Sequence, residues 1–185
     1  SAASLLAPFE RKALNLVDLG AGDGEKTKIL IRHLLSTGAD FSYVPIDISE
    51  GAMAALTSAI ATAMPRARVE GLVCEYADGI RYLGAERADR ANLVLFLGSN
   101  VGNFDRAEAA GFLGRVRHAL APEDRLLLGV DLRKQRSVLE TAYDDARGVT
   151  ARFTRNLLVR INRELGGSFV PAAFAHRARW LEDEG

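Results

Sequence analysis

The stretch DLGAGDGEKT, Asp18 to Thr27, sets three glycines at alternate positions, Gly20, Gly22 and Gly24, directly after an apolar run. An apolar run, then closely spaced glycines, then helical periodicity reads as a buried strand, a tight loop and a helix. Glycines in such a loop serve either a tight structural turn or the close approach of a ligand to the backbone. The helix behind them would offer free N–H groups and the positive end of its dipole.

Outward from this loop the pattern alternates between short apolar strands and helices. LNLVDLG (14–20) reads as strand one, and EKTKILIRHLLSTG (25–38) as a helix closed by Gly38. Strand two is FSYVPIDI (41–48), followed by a helix over 49–64 with Ser49 as N-cap and Pro65 as stop. Strand three is ARVEGLVCEY (67–76), with a short helical turn at 79–84. ANLVLFLGS (91–99) is continuously apolar, the mark of a central strand buried on both faces. A helix over 105–121, a fifth strand over 125–132, helices at about 135–146 and 153–165, and a tail with a strand near 175–182 complete the series. Strands alternating with helices of this length predict one doubly wound α/β domain over 1–185, a mostly parallel sheet with helices on both faces.

Ligands of such sheets sit at the carboxyl ends of the strands, where strand order reverses. That rule selects the glycine loop, Asp47 after strand two, Asp78 after strand three and GSNVGNF after strand four. A carboxylate at Asp47 can accept hydrogen bonds from both hydroxyls of a ribose. The dinucleotide fingerprint is G-x-G-x-x-G, whereas the spacing here is G-x-G-x-G with Asp18, Asp23 and Glu25 in or beside the loop. Acidic groups repel a pyrophosphate but suit a sulfonium and an α-amino group. The loop therefore fits S-adenosylmethionine better than NAD, and an NAD-dependent oxidoreductase is the weaker alternative.

Composition narrows the partners. The 185 residues carry 24 basic and 24 acidic side chains, so no overall field attracts nucleic acid or anionic lipid. A local basic patch remains around Arg147, Arg152, Arg155 and Arg160. One cysteine, Cys74, leaves no intrachain disulfide, and His33, His118 and His176 share no ligand spacing, so no metal is expected. With neither a membrane-length apolar run nor a signal-peptide pattern at the start, the expectation is a cytoplasmic protein.

DLGAGDGEKTKILI, YVPIDIS, LFLGSNVGNF, LLLGVDLRK and YDDARGVTARFTRNLLVRINRELGGSF together resemble the histidine-specific, S-adenosylmethionine-dependent methyltransferases, in order from about residue 14 onward. The resemblance implies a class I, Rossmann-like methyltransferase that methylates the α-amine of an amino acid, histidine or a related substrate, by direct in-line transfer. It implies that Gly20 and Lys26 contact the methionine part of the cofactor, Asp47 the ribose, and Asp78 with the Gly79 backbone the adenine. Asn103 and Tyr143 would hold the substrate amino acid.

Each of these residues also has an ordinary reading. Lys26 could be solvated, Asn103 could cap the next helix, and Tyr143 could be a half-buried core aromatic. Asp144 and Asp145 read as local caps or ion-pair partners, Cys74 as a small buried residue and Trp180 as a packing aromatic.

The sequence departs from the family at Phe153-Thr154-Arg155-Asn156, where F-N-x-N is usual. Relative to the family, protein is also missing before strand one and after RARWLEDEG. The sheet is thus expected to lack its last strand, and its open edge to be a pairing surface for a homodimer. A non-catalytic cofactor-binding or interaction module is the alternative function.

Overall fold

The apolar run Leu14–Leu19 forms β1, buried along its whole length, in a computed structural model that describes residues 1–10, 12–86 and 90–181. Two short elements precede it, helix α1 (Ala2–Leu6) and a 3-10 turn (Ala7–Phe9), which bury Leu6 and Phe9. After the glycine loop come α2 (Glu25–Thr37), β2 (Phe41–Asp47) and α3 (Glu50–Ala63). Gly38 ends α2 in the left-handed conformation, and the Ser49 hydroxyl accepts from the Ala52 N–H to start α3. Both follow the sequence reading.

The third strand departs from it. Instead of one strand over 67–76 there are two short pieces, β3 (Arg68–Val69) and β4 (Leu72–Val73), both parallel to β2. Between them Gly71 passes over α3, where a Cβ would come 2.6 Å from the Met53 sulfur. The expected short turn at 79–84 is a full helix, α4 (Tyr76–Glu86). Asp78 therefore sits in the first turn of a helix rather than at the end of a strand.

β5 (Ala91–Phe96) is buried at every position, as its composition predicts. It stops three residues short of the expected end, because Gly98 and Ser99 both turn into the left-handed region. A 3-10 turn (Asn100–Asn103), α5 (Arg106–Ala119) and β6 (Arg125–Leu128) follow. β6 is also shorter than expected. At its end Gly129 crosses the β5 loop so closely that a Cβ would lie 3.1 Å from the Leu97 Cα.

The sheet order is β3-β2-β1-β5-β6, with β4 also on β2, and every recorded pairing is parallel. The period of two along each strand splits the core into two layers. On one face Leu14, Leu16 and Tyr43 pack with Leu30, Ile31 and Leu34 of α2 and Leu56 and Ile60 of α3. On the other, Val17, Leu19, Val44, Ile46, Val94 and Phe96 pack with Ile80 and Leu83 of α4 and Phe112 and Val116 of α5. Each such side chain contributes roughly 1.5–3 kcal/mol by leaving water. A buried polar chain crosses this second layer. The Asn15 amide donates to Asn92 Oδ1 (2.9 Å), and the Asn92 amide and N–H donate to Asp124. It ties β1, β5 and the turn before β6 together.

Ser1–Asp131 forms one compact unit and Leu132–Gly185 a second. The second unit contains α6 (Arg136–Tyr143), α7 (Val149–Leu165) and a 3-10 turn (Pro171–Ala173). α7 begins four residues earlier than expected, because the Asp145 carboxylate accepts from the Val149 and Thr150 N–H groups. The tail is held by a reciprocal pair between the Asn162 side chain and the Phe169 backbone, and by Arg155 donating to the Phe174 carbonyl. No strand forms over 175–181; position 182 of the expected strand lies outside the described residues. Among the described residues no helix is long and apolar enough to cross a membrane, and no group of three His, Cys, Asp or Glu side chains is placed to hold a metal.

Candidate active site

Strand order reverses between β1 and β5. The chain runs outward from β1 through β2 to β3 and β4, then returns to the other side of β1. The loops after β1 and β5 splay apart there, and a cleft of about 370 Å³ opens between them. Gly20, Gly22, Gly24, Lys26 and Asp18 line it from one side, Gly98 and Asn100 from the other.

The glycines divide their work. All three have positive φ. At Gly24 a Cβ would lie 2.6 Å from Leu56 Cδ1, so this glycine lets α3 close on the loop. At Gly20 a Cβ would lie 2.6 Å from the Tyr76 hydroxyl and 3.0 Å from Asn100 Nδ2. Around Gly22 there is open space. At two of the three the missing side chain makes room for protein atoms and at the middle one it leaves open space, while all three line the cleft.

Asp47 ends β2 beside this loop. Its Oδ2 accepts from the Gly22 N–H (3.1 Å) and its Oδ1 from the Ser49 N–H (3.0 Å). Two backbone donors hold the carboxylate beside Gly22, which lines the cleft, and each oxygen keeps a lone pair for a vicinal diol.

Asp18 lies deeper. The Thr27 hydroxyl (2.5 Å) and the buried Tyr43 hydroxyl (3.0 Å) both donate to its Oδ2. Burial raises its pKa above the ordinary carboxylate range, opposed by those two hydrogen bonds and by the Lys26 charge. Burial, then the Asp18 charge, pushes the Tyr43 phenol far above its usual value, so it stays a donor.

Lys26 stands in the first turn of α2, where the dipole disfavours a cation. Among the described residues its ammonium makes no hydrogen bond or ion pair, and it reaches to Gly98, where a Cβ would sit 3.4 Å from Nζ. An anionic ligand group would satisfy it.

The other residues picked from the sequence are more scattered. Asp78 is exposed and paired with Arg81 one turn along α4. The Gly79 N–H is engaged by the Glu75 carbonyl, and its missing side chain makes room for Ile46. Asn103 is exposed and does not line the cleft; Asn100 of the same motif does. Nor does Asn103 cap α5. Asp105 does so, in a reciprocal pair with Glu108, which removes the ordinary explanation for Asn103. Tyr143 ends α6 with 62% of its surface exposed, so it is no core aromatic; its carbonyl bonds the His176 ring at 2.7 Å. Tyr76 and Asn100, which the sequence reading does not single out, both stand against Gly20. Asn100 stands in the quoted GSNVGNF, two residues after the glycine that lines the cleft, whereas Tyr76 carries no motif signal.

Sheet order, a glycine loop at the switch point and an anchored acidic residue after β2 fit the class I, Rossmann-like methyltransferase fold. A solved protein from Pyrococcus horikoshii OT3, PH0226, shares it: TM-score 0.51 at 19% identity, over 76% of this chain and 58% of that one. The sequence model of the histidine-specific, SAM-dependent methyltransferases matches residues 1–185, and the chain belongs to that family.

Among its relatives, the histidine N-alpha-methyltransferase of Mycolicibacterium smegmatis is 38% identical over 169 residues, covering 91% of this chain and 52% of that protein. Ergothioneine biosynthesis protein 1 of Neurospora crassa is 32% identical over 165 residues, covering 89% and 19%. The chain spans about half the length of the histidine methyltransferases it matches. S-adenosylmethionine is the cofactor of this family, and the dinucleotide alternative falls away.

Proposed function

We propose that this chain is the cofactor-binding part of an S-adenosylmethionine-dependent N-methyltransferase that acts on the α-amine of an amino acid, with histidine the first candidate. The observation that carries the reading is Asp47, held by the Gly22 and Ser49 N–H groups against the glycine loop that lines the switch-point cleft. The relatives named for histidine methylation support the substrate class.

The residues present fit the cofactor. Asp47 would take the ribose hydroxyls, Lys26 the carboxylate, and the loop at Gly20 to Gly24 the chain between them. The Asp18 carboxyl, when ionised, would favour the cationic end of the ligand. Asp78 and Gly79 would take the adenine, which requires Asp78 to leave Arg81. When bound, the cofactor supplies an electrophilic methyl group. The protein's own part is to hold a neutral amine in line with it and to keep water out, which converts a bimolecular step into a positioned one. Asn103 and Tyr143 would hold the substrate's amine and carboxylate, and neither need act as a base.

Calorimetric titration with S-adenosylhomocysteine tests this on the parent and on Asp47→Ala. Saturable binding weakened about tenfold or more in the variant is expected, a loss of about 1.4 kcal/mol or more. A folded parent that binds nothing, or equal binding by the two, would overturn the site.

A further inference from the structure

We propose that Tyr76 is a cofactor-holding residue, its hydroxyl donating a hydrogen bond to the bound S-adenosyl compound where that passes over Gly20. This inference rests on the cofactor reading above.

The ring of Tyr76 is fixed from behind. It meets Phe96 edge-on with centroids 5.5 Å apart and Phe112 at 5.9 Å, and those two rings lie 4.8 Å from each other. Phe104 extends the cluster at 5.3 Å from Phe112. Such a base leaves the tyrosine little freedom, so the direction of its hydroxyl is set by the core of the second layer.

That hydroxyl is delivered to the glycine loop. A Cβ on Gly20 would come within 2.6 Å of it, so position 20 can hold no side chain while Tyr76 stands where it does. Phenylalanine would serve the aromatic packing equally well. The hydroxyl is therefore the part of Tyr76 that the fold makes room for, at the cost of a glycine with φ of 71°.

The hydroxyl also lacks a protein partner. Among the described residues it makes no hydrogen bond, although the side chain is half-buried. Burial, then the charges of Asp47 and Asp18, raise its pKa, so the phenol keeps its proton and remains a donor at neutral pH. A partly buried donor with no acceptor is unfavourable. It becomes favourable once a ligand oxygen or nitrogen arrives over Gly20, with the Asn100 amide beside it as a second polar contact.

Two calorimetric titrations with S-adenosylhomocysteine, on the parent chain and on Tyr76→Phe, decide the matter, with thermal melting of both proteins alone as the control. The variant is expected to melt with the parent, since the ring cluster is intact, and to bind about three- to tenfold more weakly, the range set by one net hydrogen bond. Equal affinity in the two proteins overturns this inference and leaves the cofactor site standing. Tighter binding by the variant also overturns it, since the hydroxyl would then be an obstruction. A parent that does not bind overturns the cofactor reading and this inference together.

Discussion

Ser1–Asp131 and Leu132–Gly185 are both rich in apolar residues, yet they use them in opposite ways. In the first unit Leu14, Leu16, Val17, Leu19 and the whole of β5 are buried between two layers of helices. In the second no described residue is buried, and Phe153 and Leu165 on α7 are 80% and 79% exposed. α7 has an apolar stripe as well formed as that of any helix in the first unit. A stripe on one helix states which face can be buried. Burial itself needs a second surface of matching shape, and in the first unit the sheet supplies one on each side.

The contrast can be broken by substitution. Phe96→Ala, in the core of the first unit, is expected to cost about 3–5 kcal/mol in urea unfolding. Phe153→Ala, on exposed α7, is expected to change stability by no more than about 0.5 kcal/mol. Similar losses at the two positions would mean that α7 is covered in solution.

Gly24→Ala probes the joint between loop and helix in the first unit. Its Cβ would meet Leu56 and its φ of 65° is strained for alanine, so a loss of about 1–3 kcal/mol is expected. Gly22→Ala meets no atom within 4 Å, and only the backbone strain should appear. A loss at Gly24 no larger than that at Gly22 would show that α3 does not press on the loop.

Asp18 sharpens the picture through pH. Its folded pKa is raised, mainly by burial, so the native state binds a proton more tightly than the unfolded chain. Stability from this group is therefore complete below the ordinary carboxylate value, and is lost as pH rises through the higher folded value. Asp18→Asn keeps an acceptor for Thr27 and Tyr43 and removes the titration. The difference in urea midpoint between variant and parent should move in the variant's favour as pH rises across that window. A difference that stays flat would contradict the raised pKa.

Asp145 is the counterpart in the second unit. Its pKa is lowered to about 2, chiefly by the Thr150 and Val149 N–H groups. What it adds to the start of α7 is present above the usual carboxylate range and fades as pH falls through about 2. Asp145→Ala should speed amide hydrogen exchange at Val149 and Thr150 and leave β1 and β5 untouched. Unchanged exchange at those amides would mean that Asp145 does not hold the helix start.

Most of the fold was legible because its signals are local. Buried parallel strands read as runs of Leu, Val and Ile, and the caps at Ser49 and Gly38 depend only on nearby residues. Strand three was misread for an equally physical reason. ARVEGLVCEY has strand composition throughout, but Gly71 must pass Met53 of α3, and the chain turns helical at Tyr76. Reading Tyr76 as the last residue of a strand hid a side chain that the helix directs to Gly20. Asn100 and Asn103 show the same limit. Three residues apart in one motif and in one 3-10 turn, only the first lines the cleft.

By itself the sequence determined the alternation of strands and helices, the loop at Gly20, Gly22 and Gly24, the acid at Asp47 and the family to which these belong. These are properties of neighbours along the chain, carried by period, spacing and residue type. Only the tertiary structure decided that Gly24 accommodates Leu56 and Gly20 accommodates Tyr76, that Asp47 is anchored by Gly22 and Ser49, and that Asp18 shares its carboxylate with Thr27 and Tyr43. Each of these joins residues brought together by the packing of different elements, and no local pattern specifies where a side chain from another element will arrive.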